Sequence, residues 1–240
     1  MNELGGSSIE SICTSRKHEE PQDLARVLSG YCDGIVIRTH EDELIDRMIQ
    51  ASRVPIINGL SQLHHPCQIL ADLMTLKEVF TDLKGLKLTY MGDGNNILHS
   101  LLLLAPQLGL QIRYSCPSDY QPNSLILKRA KDRAEDHGGQ ILRFAHPQEA
   151  VEGAHAVYTD VWTSMGCEAE TLEKQEAFAG FQLNEELLQY ASEDAVIMHC
   201  LPMIRGKEIS NGLPEHKNSI IFKQSENRLH LQKALLMGLL

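Results

Sequence analysis

The sequence predicts an α/β protein with two parallel-sheet α/β domains joined by a long helix. Short apolar runs alternate with segments of helical periodicity along most of the chain. Polar and charged residues follow directly after these runs, which is where ligands bind in parallel sheets. A length of 240 residues allows one large domain or two small ones. We therefore expect two α/β blocks, 1–83 and 84–240.

The first block is organised around a polar stretch, His64-His65-Pro66-Cys67-Gln68. It lies between an apolar run and a strongly periodic segment. Free backbone N–H groups and the positive end of the helix dipole face a ligand at such a helix start. Helices are predicted at 23–31, 41–52 and 68–80, and strands at 34–38 and 54–58, with Gly59 ending the second strand.

The second block repeats the alternation of strand and helix. Strands are predicted at 87–91, 111–115, 141–144, 156–159, 195–199 and 219–222. Helices are predicted from 97 to near 105, where Pro106 follows, and at 124–137, 147–151, 184–191 and 226–240. Ser225 is the expected N-cap of the last helix, which we expect to pack back toward the first domain.

Composition excludes several classes of protein. A net charge of −10 argues against broad binding to nucleic acid or to an acidic membrane surface. No apolar run is long enough to span a bilayer, and the first residues resemble neither a signal peptide nor a transit peptide. The six cysteines have no metal-ligand spacing, so we expect no zinc site and reduced thiols in an intracellular protein.

Six predicted strand ends carry polar residues. The segments are Arg38, His64 to Gln68, Asp93 to Asn96, Asp160 to Gly166, His199 to Pro202 and Ser225 to Arg228. Each has a simpler interpretation: Arg38 as a surface residue, Asn95-Asn96 as turn residues, Asp160 as a loop or cap residue and Arg228 as a solvated charge. Their common placement at strand ends favours a binding site.

Two other sites are less favoured by the residues. The Gly92-x-Gly94 pattern is a weak nucleotide signal, because Ile97 stands where the third glycine of the dinucleotide fingerprint belongs. His199 and Cys200 are adjacent on a predicted strand and so point to opposite faces. A Cys–His catalytic dyad is therefore not expected from this pair.

In these segments the chain closely resembles the ornithine carbamoyltransferases of the aspartate/ornithine carbamoyltransferase superfamily. The matching segments are Ala25 to Ser29, Ile57 to Leu60, His65 to Asp72, Gly92 to Asn96, Asp160 to Gly166, His199 to Pro202 and Glu226 to Arg228, in family order. The Ser-Met-Gly and His-Cys-Leu-Pro segments favour ornithine over aspartate, and Asp160 favours ornithine over putrescine.

The resemblance implies an enzyme of arginine biosynthesis. It would transfer a carbamoyl group from carbamoyl phosphate to the side-chain amine of ornithine, giving citrulline and phosphate, without metal or organic cofactor. It implies catalytic roles for Arg38, His65 and Cys200. Substrate-binding roles are implied for Gln68, Asn96, Asp160, Ser164, Met165, Leu201 and Arg228.

The resemblance also indicates what the sequence lacks. The family's phosphate loop, Ser-x-Arg-Thr-Arg, is not present in the 240 residues, so we expect the first domain to be incomplete and to expose a strand edge or an apolar helix face. A catalytically impaired ornithine-binding protein and an unrelated nucleotide-binding protein are the alternatives. The family implies a homotrimer if the first domain is completed, and a cytoplasmic location, with an organelle left open.

Overall fold

The computed structural model describes residues 1–11, 19–163 and 171–240. A short 3-10 helix, Asn2–Leu4, precedes a small parallel sheet of β1 (Ile35–Arg38) and β2 (Ile56–Leu60), with helices α1 (Pro21–Leu28) and α2 (Asp42–Ile49). The side chains of Val36 on β1 and Ile49 on α2 are exposed.

The end of the first sheet differs from the prediction. Strand β2 continues through Gly59, which was expected to end it, and the register shifts so that Arg38 pairs with Leu60. A Cβ atom at Gly59 would lie 3.2 Å from the carbonyl oxygen of Ile37. The absence of a side chain therefore lets the two strands approach closely where Arg38 leaves the sheet.

Helix α3 (Pro66–Phe80) connects the two sheets. It begins two residues before the predicted start, because Pro66 occupies the first turn, where its fixed φ and missing N–H suit a helix. Ile69, Leu73 and Leu76 are buried along its length. The start of α3 thus places the histidine stretch beside the core of the second sheet.

The second sheet has five parallel strands in the order β5-β4-β3-β6-β7. They are β3 (Lys87–Met91), β4 (Gln111–Ser115), β5 (Gln140–Phe144), β6 (Ala156–Thr159) and β7 (Val196–His199). The strand order reverses between β3 and β6, so the loops after these two strands diverge and open a crevice at the carboxyl edge of the sheet.

Helices pack on this sheet and form its core. They are α4 (Asn96–Leu104), α5 (Ser124–His137), α6 (Pro147–Val151), α7 (Thr171–Ala177), α8 (Glu185–Leu188) and α9 (Ile221–Leu239). A 3-10 turn, Ala105–Leu108, continues α4 past Pro106, and another spans Leu213–Glu215. Leu98, Leu101 and Leu102 of α4 are fully buried against the sheet. None of the helices in the described ranges is long and apolar enough to cross a bilayer.

The last predicted strand is wrong. Ser219 forms only an isolated bridge with Ile197, and α9 begins at Ile221. Ser225 therefore lies inside α9 and does not cap it, and Arg228 lies in the third turn and not the first. A short apolar run does not by itself distinguish a strand from the first turn of a buried helix. Helix α7 was not expected from the sequence.

Helix α9 returns to α3 and packs along it. Gln224 and Asn227 of α9 are fully buried, and Asn227 donates to Thr75 Oγ1 of α3 at 2.9 Å. The last helix of the chain thus closes over the helix that connects the two sheets.

Candidate functional site

Most of the predicted site residues lie at the carboxyl ends of strands or at the starts of the helices that follow. Arg38 ends β1, His65 and Gln68 begin α3, and Asn96 begins α4. Asp160 follows β6, Cys200 and Leu201 follow β7, and Arg228 lies on α9. Ser164 and Met165 fall outside the described residues.

His65 is held at the start of α3. It is buried, and its backbone N–H donates to Ser100 Oγ of α4 at 2.7 Å. Burial lowers the pKa of the His65 imidazole, and the charges of Arg228 and then Arg38 act in the same direction, so that together they bring it to about 4. The ring is therefore neutral at pH 7. Its Nδ1 atom is buried and has no hydrogen-bond partner among the described residues.

Arg38 and Arg228 bring two positive charges to this ring. Both act on the pKa of His65, although they come from β1 and α9. Within the described parts of the chain, neither guanidinium forms an ion pair. Guanidinium groups bind phosphate and carboxylate oxygens through paired hydrogen bonds. The start of α3 is therefore suited to an anion.

Gln68 presents an acceptor at the same place. It is buried on the first turn of α3, and its Nε2 donates to Asp72 Oδ1 at 2.8 Å. Its Oε1 atom is also buried but has no partner in the described structure. A buried acceptor without a donor is costly, and a ligand with an N–H group would satisfy it.

Asp160 provides the negative charge in the crevice between β3 and β6. Its Oδ2 accepts from Asn95 Nδ2 at 2.7 Å, and its Oδ1 accepts from Cys200 Sγ at 2.8 Å and from the backbone N–H of Val161 at 2.7 Å. Three hydrogen-bond donors therefore meet on this carboxylate. Such a carboxylate is suited to an ammonium group.

The two asparagines of the glycine-containing loop have different contacts. Asn95 caps α4 through its Oδ1 and also holds Asp160, a role that the turn interpretation missed. Asn96 donates from Nδ2 to the carbonyl oxygen of Ser61 at 2.9 Å, which ties α4 to the end of β2. The signal available in the sequence was the cap position of the first asparagine before a helix.

The Cys200 thiol keeps its proton at neutral pH. Burial raises its pKa well above the usual value, and the nearby Asp160 carboxylate raises it further. His199 faces other partners: its Nε2 lies 3.3 Å from Glu208 Oε1, and its Nδ1 accepts from the Leu201 N–H at 2.9 Å. Cys200 and His199 therefore do not form a thiolate–imidazole dyad.

Asp160, His199 and Cys200 also place possible metal-ligating atoms within 4.8 Å of one another. Each of these atoms already takes part in a hydrogen bond, and the thiol is protonated. Metal ligation requires a thiolate and a free imidazole nitrogen. The donor set is better described as a hydrogen-bond network.

Comparison with known proteins assigns the parts of the chain that carry the two sheets to two domains of one family. Residues 1–78 match the family model "Aspartate/ornithine carbamoyltransferase, carbamoyl-P binding domain", and residues 84–239 match "Aspartate/ornithine carbamoyltransferase, Asp/Orn binding domain". An ornithine carbamoyltransferase of Prochlorococcus marinus (strain MIT 9312) is 46% identical over 244 residues, covering 100% of this chain and 79% of the relative. Another, from Anoxybacillus flavithermus, is 46% identical and covers 100% of this chain and 77% of the relative.

A solved structure agrees with the fold. The ornithine carbamoyltransferase of Pyrococcus furiosus superposes with a TM-score of 0.89 at 42% identity, covering 92% of this chain and 71% of that one. The α/β fold predicted from the sequence and the resemblance stated there are confirmed. The chain therefore belongs to the aspartate/ornithine carbamoyltransferase family.

Proposed function

We propose that this chain transfers the carbamoyl group of carbamoyl phosphate to the side-chain amine of ornithine, giving citrulline and phosphate. The observation that carries the proposal is the pair of buried atoms without a partner at the start of α3, His65 Nδ1 and Gln68 Oε1, where the charges of Arg38 and Arg228 also act. Positive charge at a helix start suits the phosphate dianion. The Asp160 carboxylate, across the crevice, suits an amino-acid ammonium group.

The carbamoyl phosphate half of the site acts on the reacting carbonyl. When the amine attacks, the carbonyl oxygen gains negative charge, and Arg38 and His65 donate to it. Donors oriented in advance in this way contribute about 3 kcal/mol each to transition-state stabilisation. Gln68 accepts from the carbamoyl amine with its unpartnered Oε1. Arg228 completes the binding of the phosphate.

The ornithine half of the site holds the amino-acid end. Asp160 pairs with the α-ammonium, and Asn96 together with the Ser164-Met165 backbone binds the α-carboxylate. Leu201 lines the path of the side chain. Cys200 orients Asp160 and the approaching amine, and its protonated thiol makes it a donor and not the base.

The chemical step requires no further reactant. The ornithine nitrogen forms a bond to the carbonyl carbon, the bond from that carbon to the bridging phosphate oxygen breaks, and phosphate leaves. The nitrogen loses one proton, and the departing phosphate accepts it. Holding the two reactants in line supplies much of the remaining rate. Residues 1–83 and 84–240 act as the carbamoyl phosphate and ornithine domains, and a homotrimer is the proposed assembly.

A second candidate is ornithine binding without turnover. It is favoured by the contacts of the Asp160 carboxylate, which accepts from Asn95 and Cys200 without any contribution from the phosphate half of the site. In that case Asp160 and Asn96 would hold ornithine while carbamoyl phosphate binds too weakly for reaction. The two candidates share the ornithine half of the site and differ in the phosphate half.

Citrulline formation from carbamoyl phosphate and ornithine tests the proposal, with putrescine and aspartate as alternative acceptors. We expect the chain to carbamoylate ornithine but neither putrescine nor aspartate. In Asp160→Asn, we expect the KM for ornithine to increase at least about tenfold. Calorimetry with ornithine alone separates the second candidate. Binding of ornithine without citrulline would contradict the proposed transfer, and absence of ornithine binding would remove both candidates.

A further inference from the structure

Asp72 is a buried carboxylate that the reaction as described above does not use. It lies on α3, one turn after Gln68, and is fully buried. Its Oδ1 accepts from Gln68 Nε2 at 2.8 Å and from Gln224 Nε2 at 2.7 Å, and its Oδ2 accepts from Tyr158 OH at 2.7 Å. These donors come from α3 itself, from α9 and from β6.

The environment of Asp72 is unusual for a core position. In the described parts of the chain it has no ion-pair partner, although the more distant Arg228 favours its charged form. Burial raises its pKa to about 7, against the opposing effect of three side-chain donors. Three hydrogen bonds compensate the cost of burying this carboxyl, and a leucine would avoid the cost altogether. Packing alone therefore does not explain the residue.

The contact with Asp72 determines which end of the Gln68 amide faces the site. The amide group has one end that only donates and one that only accepts. While Asp72 is ionised, its oxygen can be approached only by the NH2 end of the amide, and so Oε1 points the other way. That oxygen is the one that is buried without a partner. A reversed amide would place two acceptors together at Asp72 and a donor in the site.

We propose that Asp72 is a positioning residue that fixes Gln68 with its carbonyl oxygen toward the carbamoyl amine of carbamoyl phosphate. The inference rests on the proposed function for the identity of the ligand. The carbamoyl NH2 is a donor, so it requires an acceptor at this place, and a reversed Gln68 would present a second NH2 to it. Tyr158 and Gln224 hold Asp72 itself in position from the second sheet and from the last helix.

Two substitutions of Asp72 separate the acceptor from the charge. Asp72→Ala removes the acceptor and frees the Gln68 amide to rotate. Asp72→Asn removes the charge, but its Oδ1 can still accept from Gln68 and Gln224 while its Nδ2 donates to the Tyr158 oxygen. We expect the Kd for carbamoyl phosphate to rise at least about tenfold in Asp72→Ala and to stay within about threefold of the original in Asp72→Asn. Equal losses in both variants would overturn the inference.

A double-mutant cycle tests whether Asp72 acts through Gln68. In a Gln68→Ala background, Asp72→Ala should cause no further loss of carbamoyl phosphate affinity. Additive losses would show that Asp72 acts by another route. Calorimetry with carbamoyl phosphate measures all four proteins without requiring turnover. One outcome is that the four carbamoyl phosphate affinities follow the expected pattern while the unaltered chain forms no citrulline. In that case the proposed function fails and the positioning role stands.

A second measurement uses the unaltered protein and does not depend on a variant that folds. The two side-chain amide protons of Gln68, observed by nitrogen-edited NMR, should exchange slowly with deuterium because they face a buried carboxylate. Exchange as fast as that of the exposed Gln148 amide, in the unaltered chain, would overturn the inference whatever the activity.

Discussion

Cys200 Sγ donates to Asp160 Oδ1 across 2.8 Å, and the two residues follow the neighbouring strands β7 and β6. The thiol is buried, and the carboxylate beside it adds to the effect of burial in raising the thiol pKa. The pair therefore links the side chain proposed to bind the ornithine α-ammonium with the thiol proposed to orient the amine.

Cys200 should resist alkylation. Iodoacetamide attacks thiolates, and the raised pKa leaves little thiolate on Cys200 at pH 8. Cys32 is only partly buried and should react first. Mass spectrometry of the two peptides after timed labelling measures the difference. Asp160→Asn should accelerate labelling of Cys200, because it removes the nearby negative charge. Equal rates for Cys200 and Cys32 in the folded chain would contradict the prediction.

Removing the charge of Arg228 should raise the pKa of His65. That pKa is lowered to about 4 by burial first and by Arg228 second, so Arg228→Met should shift the titration of the ring toward its ordinary value near 6.5. The measurement is an NMR titration of the His65 ring protons. Arg53→Met, at an exposed position in the same block as His65, is the matched control. An unchanged midpoint in Arg228→Met would show that the guanidinium does not act on the ring.

Acid should destabilise the fold partly through His99. Burial lowers the pKa of its imidazole to about 4, and its two nitrogens lie at hydrogen-bond distance from the Leu63 carbonyl and the Asn123 N–H. Between pH 6.5 and 4 the unfolded chain binds a proton that the folded chain does not. Stability from this group is therefore present above that window and is lost as the pH falls, by up to about 3 kcal/mol.

Urea unfolding at several pH values measures this contribution. His99→Gln should be less stable at pH 7 and should show a shallower loss of stability between pH 6.5 and 4. The exposed His230→Gln variant should keep the slope of the unaltered chain. Asp72, with its raised pKa, opposes the trend but is common to all three proteins. Parallel curves for His99→Gln and the unaltered chain would contradict the assignment.

A methyl group at Gly94 should disturb the loop that carries the asparagines. A Cβ atom there would lie 2.3 Å from the backbone of both Gln121 and Pro122, which cannot move aside as a side chain would. We expect Gly94→Ala to cost about 1 to 3 kcal/mol of stability and to weaken ornithine binding. Gly180→Ala is the control, because no atom lies within 4 Å of the added carbon. Urea unfolding and calorimetry with ornithine measure the two effects, and equal behaviour of the two variants would contradict the prediction.

The local sequence pattern was sufficient to predict the bounds of an element where burial and periodicity agree. Strands β3, β4 and β6 have the predicted bounds, and each is a short segment followed directly by a glycine, a cysteine or an aspartate. The start of α9 was missed because Ser219 to Phe222 suits a strand equally well. Helix α9 begins at Ile221 because this side chain is buried in the same core cluster as Met91 and Ile197, a tertiary contact that local sequence does not show.

The positions of the candidate site residues at strand ends could be predicted from the sequence. The hydrogen bonds that hold these residues in place could not. Asn95 was expected at a strand end of the site, with a turn role as the simpler alternative, but nothing in the local sequence indicates that its Nδ2 holds Asp160, 65 positions away. Asp72 could have been noticed, since Ile69, Leu73 and Leu76 share its helix face and a carboxylate is out of place among them. Nothing in the local sequence indicates that its other partners are Tyr158 and Gln224.

Packing of α9 on α3 has a consequence for the order in which the fold is completed. Asp72 and Thr75 receive hydrogen bonds from Gln224 and Asn227, which lie 152 positions later in the chain. During synthesis from the N-terminus, these buried polar groups lack those partners until almost the whole chain has emerged. Helix α3 therefore completes its buried hydrogen bonds late in synthesis. A nascent chain that stops before 221 leaves Thr75 without the Asn227 donor and Asp72 without the Gln224 donor.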